Sequence, residues 1–186
     1  DADTTVVCVH GNPTWSYLWR EVIDQVPATV RVVAVDQIGM GFSARTGEPR
    51  RLAQRIEDLG SIIERLDIRG RIVLLAHDCG GPVSLGWATS SPKNTERLAG
   101  IVLTNTAVHQ PAHRGAPTLI SAARTPGVRD VICARTTAFL RGTTAISRVD
   151  RATARALRSA YPTVESRRPI ADFVADIPLE NSHPSA

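Results

Sequence analysis

Residues 72–90 read "IVLLAHDCGGPVSLGWATS". Ile72 to Ala76 run without a polar break into His77, Asp78 and Cys79, and then into Gly80, Gly81 and Pro82. A short apolar run bounded by turn residues is the pattern of a buried strand, and the following helix, Pro82–Ser90, tolerates a proline in its first turn. The corner has the form small-x-nucleophile-x-small, with Ala76 and Gly80 as the small residues. Small residues are needed because a sharp strand-to-helix turn brings backbone against backbone. Register therefore selects Asp78, not Cys79, as the candidate nucleophile. The competing explanation is that Asp78 caps the helix, since Asp is a favoured N-cap. His77 is expected to pack beside the sheet.

Outward from this corner the chain alternates strand and helix. Thr4–Val9 ("TTVVCV") is a β-branched run stopped by His10-Gly11, and Val30–Val35 ("VRVVAV") is a second strand. Trp15–Val26 has helical spacing and ends before Pro27. Arg50–Leu66 is amphipathic, with Leu52, Ile56, Leu59, Ile63 and Leu66 on one stripe and Gly70 beyond its end. Gly100–Leu103 is the fourth strand. Continuous apolar strands separated by helices predict a parallel sheet covered on both faces, an α/β fold. From Ala107 the strands stop, and Pro117–Arg124, Val128–Leu140, Ala152–Tyr161 and Pro169–Ile177 read as short helices. We expect a core over residues 1–108 and a helical cap over 109–186, seated on the carboxyl ends of the strands. Leu119, Ile120, Val131, Phe139, Leu140 and Phe173 supply apolar side chains, some of them for a pocket suited to alkyl chains.

Composition excludes several classes. The chain has 186 residues, 42% of them hydrophobic, which suits one globular domain. Net charge is +4, and only Lys93 among the 22 basic residues is a lysine. The arginines are dispersed and aromatics make up 4%, so the stripe of basic and stacking residues that nucleic-acid binding needs is missing. Cys8, Cys79 and Cys133 are odd in number and unclustered, which suggests neither a disulfide framework nor a metal site and fits a cytoplasmic protein. No apolar run approaches the roughly 20 residues of a membrane span.

Three loops leave the carboxyl ends of the strands, where open parallel sheets bind ligands. They are "HGNPTW" after the first, "DQIGMGFS" after the second and "HDCGG" after the third. "GMGFSA" matches a dinucleotide fingerprint, but Asp36 precedes its glycines and "RTGEP" follows where a helix should continue, so no cofactor is expected. His10 is expected to tie down its loop. Trp15 and Trp19 sit at i and i+4, the spacing of core packing.

Taken together, "VVCVHGNPTWSYLWR", "VVAVDQIGMGFS" and "LLAHDCGGPVSLGWA" resemble the α/β-hydrolase superfamily, in its haloalkane-dehalogenase-like branch with an Asp nucleophile. "HGNPTWSYLWR", "LTNTAVHQP" and "ADFVADIPLE" are most similar to the β-lactone decarboxylases of bacterial long-chain olefin biosynthesis, in particular to versions fused to a β-lactone synthetase domain. The resemblance implies that Asp78 is the nucleophile. It implies that Asn12 and Cys79 serve the oxyanion hole or the leaving group, through backbone N–H groups and the Asn12 side chain. It places Trp15 and Asn105 at the substrate pocket, Asn105 where some relatives carry an acid.

Chemistry explains the choice of Asp. A carboxylate is ionised at neutral pH and attacks without a base. Attack on an sp3 carbon with a leaving group gives a stable alkyl ester, so haloalkanes, epoxides and β-lactones are the natural small hydrophobic substrates. Relatives place a Trp after the nucleophile, and here that residue is Cys79. Epoxide hydrolases use cap tyrosines, and Tyr161 is the only tyrosine in the cap segment. The family's base His lies beyond the cap. His109, His113 and His183 do not occupy its loop, so the sequence reads as a fragment that lacks the base-bearing end and is expected to be labelled at most once by an alkyl halide or β-lactone, without turnover. A degenerate hydrolase that binds a hydrophobic ligand without catalysis is the rival from another class.

Overall fold

The computed structural model describes residues 4–107, 118–178 and 182–185. β1 (Thr4–Val9), β2 (Arg31–Val35), β3 (Arg71–His77) and β4 (Leu98–Thr104) form one parallel sheet in the order β2-β1-β3-β4. Val9 lies opposite both Val35 and Ala76, and His77 opposite Thr104. The loops after the four strands therefore leave from one edge, in register. Val7, Val9, Ile72, Leu74 and Ala76 are wholly buried. Each large apolar side chain so removed from water contributes about 1.5–3 kcal/mol.

Against this sheet pack α2 (Leu52–Arg65) and α3 (Gly80–Thr89), whose Leu59, Ile63, Val83 and Trp87 complete the core. Leu66, read as part of the α2 stripe, ends the helix and is 44% exposed. The segment Trp15–Val26 is a 3-10 turn (Ser16–Trp19) followed by α1 (Arg20–Gln25), because Trp15 is extended and the helix starts only after it. Sequence reasoning missed α4 (Pro92–Arg97). Its start was visible in Ser91-Pro92, where the Ser91 hydroxyl accepts the Asn94 N–H at 3.2 Å and Pro92 occupies the first turn.

The second half is helical: α5 (Thr118–Arg124), a π-helical turn (Asp130–Arg135), α6 (Ala138–Ile146), α7 (Arg151–Ser159) and α8 (Val164–Ala175). The single helix expected over Val128–Leu140 is broken at Thr136, which is extended while its N–H and hydroxyl both return to the Val131 carbonyl. Pro169, expected to open the last helix, lies inside α8. That helix starts earlier because Thr163 and Ser166 form a reciprocal capping box. Phe139, Leu140, Tyr161, Ile170, Phe173 and Val174 build a core of their own, which Met40 from the β2–α2 connection enters fully buried. Val131 is 48% exposed instead. The 108/109 boundary, His109, His113 and the Leu119 side chain lie outside what is described.

The helical half is bound to the loops at the carboxyl ends of the strands. Asn12 Nδ2 donates to the Ile170 carbonyl (3.1 Å) and Trp15 Nε1 to the Leu157 carbonyl (3.2 Å). The Tyr161 hydroxyl donates to the Thr14 carbonyl (3.0 Å) and accepts the Gly41 N–H (3.1 Å). Among the described residues no helix is long and apolar enough to cross a membrane.

Candidate active site

The corner between β3 and α3 is strained. Asp78 has φ +51°, in the left-handed region that side chains seldom occupy. Three hydrogen bonds hold it there. Its N–H donates to the Thr104 carbonyl (3.2 Å), and its carbonyl accepts the Gly81 N–H (2.9 Å) and the Thr106 hydroxyl (2.6 Å). Close approach explains the glycines. A Cβ on Gly80 would stand 2.3 Å from the Val9 carbonyl oxygen, and one on Gly11 2.4 Å from Asp78 Oδ2.

The Asp78 carboxylate does not cap α3. Its Oδ2 accepts the backbone N–H of Asn12 at 2.7 Å, across the cleft between the β3 and β1 loops. The helix begins with no side-chain cap. The half-buried carboxylate is thus fixed on a strained turn and engaged by a backbone donor from the neighbouring loop.

The neighbours divide into groups that hold the site and groups that face it. His10 is wholly buried, donates from Nδ1 to the Gly11 carbonyl (2.8 Å) and accepts the Gln37 N–H on Nε2 (3.1 Å). Gln37 returns its side-chain N–H to the His10 carbonyl at 2.5 Å. Burial pushes the His10 imidazole down to about 4. It is a neutral strut with both nitrogens bonded. Asp36 orders the adjacent loop by accepting the Ser16 N–H (2.6 Å) and the Phe42 N–H (2.8 Å).

Cys79 packs against the helical half. Burial, then the charge of Asp78, pushes its thiol well above the ordinary range, so it stays protonated at neutral pH. Asn12 adjoins Asp78 through its backbone, whereas its side-chain amide is engaged with Ile170 and its Oδ1 is buried without a partner among the described residues. Trp15 stacks on Tyr17 (5.3 Å) and meets Phe42 edge-on (5.0 Å) while it anchors α7. Asn105 is exposed, one residue past β4, with φ +45°. His183 accepts the Ser185 N–H at 3.1 Å in a tail that Asp176 holds through the Ser185 hydroxyl. The structure thus brings Asp78, Asn12 and Cys79 together. Gly11 and Thr106 were missed by sequence reasoning, although Gly11 stood in the quoted loop.

A model of the α/β-hydrolase fold family matches residues 4–172. The chain is 34% identical to a cis-3-alkyl-4-alkyloxetan-2-one decarboxylase of Xanthomonas campestris pv. campestris, over 94% of this chain and 61% of that protein. It is 29% identical to a haloalkane dehalogenase of Mesorhizobium japonicum, over 95% of this chain and 59% of that protein. The crystal structure of the haloalkane dehalogenase DatA from Agrobacterium tumefaciens C58 superposes with a TM-score of 0.77 at 25% identity, covering 92% of this chain and 60% of the other. The chain therefore spans about three fifths of the length of these relatives.

Proposed function

The chain belongs to the α/β-hydrolase fold family, and from that premise we propose that it carries the nucleophilic half of a β-lactone decarboxylase, with Asp78 as the attacking residue. The observation that carries this reading is the Asp78 Oδ2 contact with the Asn12 N–H at 2.7 Å on a strained strand-to-helix turn. With one oxygen held, the other is the one that attacks. The substrate class comes from the Xanthomonas relative, whose name describes an oxetan-2-one with two alkyl groups.

The step balances without water. Oδ1 attacks the sp3 ring carbon that bears the ring oxygen. A C–O bond to Asp78 forms as the ring C–O bond breaks, leaving an alkyl ester and a free carboxylate. That carboxylate departs as CO2, its C–C electron pair becomes the new C=C bond, and the Asp78 carboxylate is expelled unchanged. The products are an olefin and CO2. The Asn12 N–H stays on Asp78 Oδ2, and the backbone N–H of Cys79 stabilises the carboxylate as it leaves, a donor of this kind being worth roughly 2.7–4 kcal/mol. Such a substrate must come from a ring-forming reaction, so a β-lactone synthetase, fused or associated, is the natural partner, in the cytoplasm.

The dehalogenase relative supports a second reading, displacement of halide with the same ester as intermediate. Release of that ester consumes water and needs a base. His10 is unsuited, because both its ring nitrogens are bonded. Incubation with a cis-β-lactone and with a 1-haloalkane separates the two readings by gas chromatography of products. We expect olefin from the lactone, lost to background in Asp78→Asn, and no alcohol from the haloalkane. Alcohol without olefin favours the dehalogenase reading. Binding of both ligands with neither product favours a non-catalytic binder.

A further inference from the structure

The outer side of α7 carries an uncompensated charge. Arg151, Arg155 and Arg158 recur at intervals of four and three residues, so one side of the helix bears all three, while Thr153 and Leu157 on the opposite side are buried. Arg148 precedes them in the α6–α7 connection and Arg141 lies on α6, both exposed. Arginines that read as dispersed along the chain are gathered into one strip by the turn of the helix. Among the described residues none of these five side chains has a hydrogen-bond or ion-pair partner, whereas Arg20, Arg69 and Arg135 are paired with Glu21, Asp67 and Asp130. From Ala138 to Tyr161 the only acidic residue is Asp150. Its carboxylate is committed to the helix start, where it accepts the N–H groups of Ala152 (2.8 Å) and Thr153 (3.0 Å) and the Thr153 hydroxyl (2.5 Å).

The two most exposed large apolar side chains among the described residues stand at the two ends of this strip. Ile146, 70% exposed, closes α6 two residues before Arg148. Phe42, 68% exposed, lies by the other end: it meets Trp15 edge-on, and Trp15 Nε1 donates to the Leu157 carbonyl in the last turn of α7. Free guanidinium groups bounded by protruding apolar side chains suit a layer of anionic lipid headgroups. There the cations meet phosphate oxygens, and the apolar tips enter the boundary of the acyl chains. A nucleic-acid backbone would engage the arginines but gives Ile146 nothing to enter.

We propose that the outer face of α7 docks the protein on an anionic membrane surface, with Phe42 and Ile146 entering the interface. The docking does not depend on the reaction proposed above and holds or fails apart from it. It sets the helical half against the phase in which an alkyl-bearing substrate dissolves.

Co-sedimentation of the 186-residue chain with vesicles of phosphatidylglycerol and phosphatidylcholine in equal parts, and with vesicles of phosphatidylcholine alone, tests the proposal. Binding to the mixed vesicles that weakens as salt rises is expected, with none to the neutral ones. An arginine at an anionic bilayer surface contributes about fivefold in affinity, so Arg151→Gln with Arg155→Gln should weaken binding roughly twenty-five-fold. Ile146→Ser should weaken it by roughly threefold or more at every salt concentration. The control removes the same charge at the amino ends of the strands, from exposed residues of α2 and α4: Arg65→Gln with Lys93→Gln should leave affinity nearly unchanged. No binding to the mixed vesicles, equal binding to the neutral ones, equal loss in the two double variants, or unchanged affinity in Ile146→Ser overturns the proposal. Tighter binding to duplex DNA than to the mixed vesicles overturns it as well and assigns the strip to nucleic acid.

Discussion

At the scale of single residues, the site depends on what two glycines do not carry. Gly11→Ala puts a methyl group where Asp78 Oδ2 now lies. We expect it to displace the carboxylate and cut reactivity by about a hundredfold, since misplacement of a reacting group by an ångström has that effect, and to lower the melting temperature as well, because the Asp78 Cβ, 2.5 Å away, is fixed to the turn. Gly80→Ala meets the Val9 carbonyl instead. Backbone cannot swing aside as a side chain can, so we expect destabilisation of about 1–3 kcal/mol in urea denaturation. His10 gives a pH signature. Its folded value of about 4 lies below the ordinary 6.5, so folding favours the neutral ring. The unfolded chain takes up the proton first as pH falls, and the stabilisation present above pH 6.5 is lost as pH falls toward 4. Urea midpoints should fall over this window, and His10→Gln should flatten that part of the slope. The tight turn at Asp78 was legible in the sequence because its steric demand is local. The engagement of Asn12 and Trp15 was not, because their partners are main-chain carbonyls of Ile170 and Leu157, which side-chain patterns do not reveal.

At the scale of elements, legibility followed the strength of the local signal. The four strands were readable from β-branched and apolar runs within two residues of their ends. Helix limits in the second half were harder. The break at Thr136 depends on hydrogen bonds five residues back to Val131, and Pro169 is tolerated inside α8 because the capping box at Thr163 starts the helix earlier. One element boundary is held across the fold. The N–H of Leu52, first residue of α2, donates to Asp176 Oδ2 just beyond α8. Asp176→Ala removes this remote cap and should cost about 0.5–2 kcal/mol. Hydrogen exchange should show faster opening of the first turn of α2. Unchanged exchange there would show that the contact contributes nothing.

At the scale of the whole molecule, two apolar cores meet along the carboxyl ends of the strands. Met40, fully buried, carries the β2–α2 connection into the helical core, and the Tyr161 hydroxyl binds back to Thr14 and Gly41. The corner at Asp78 is therefore roofed by contacts that belong to both halves. Packing of Cys79 against the helical core buries its thiol and keeps it protonated. The deciding question is which side chain at this corner attacks carbon. Peptide mapping by mass spectrometry after incubation with a reactive 1-haloalkane at neutral pH answers that directly. The prediction is a single alkyl mass addition on Asp78, absent in Asp78→Asn and retained in Cys79→Ser. Label on Cys79 that persists in Asp78→Asn would contradict it.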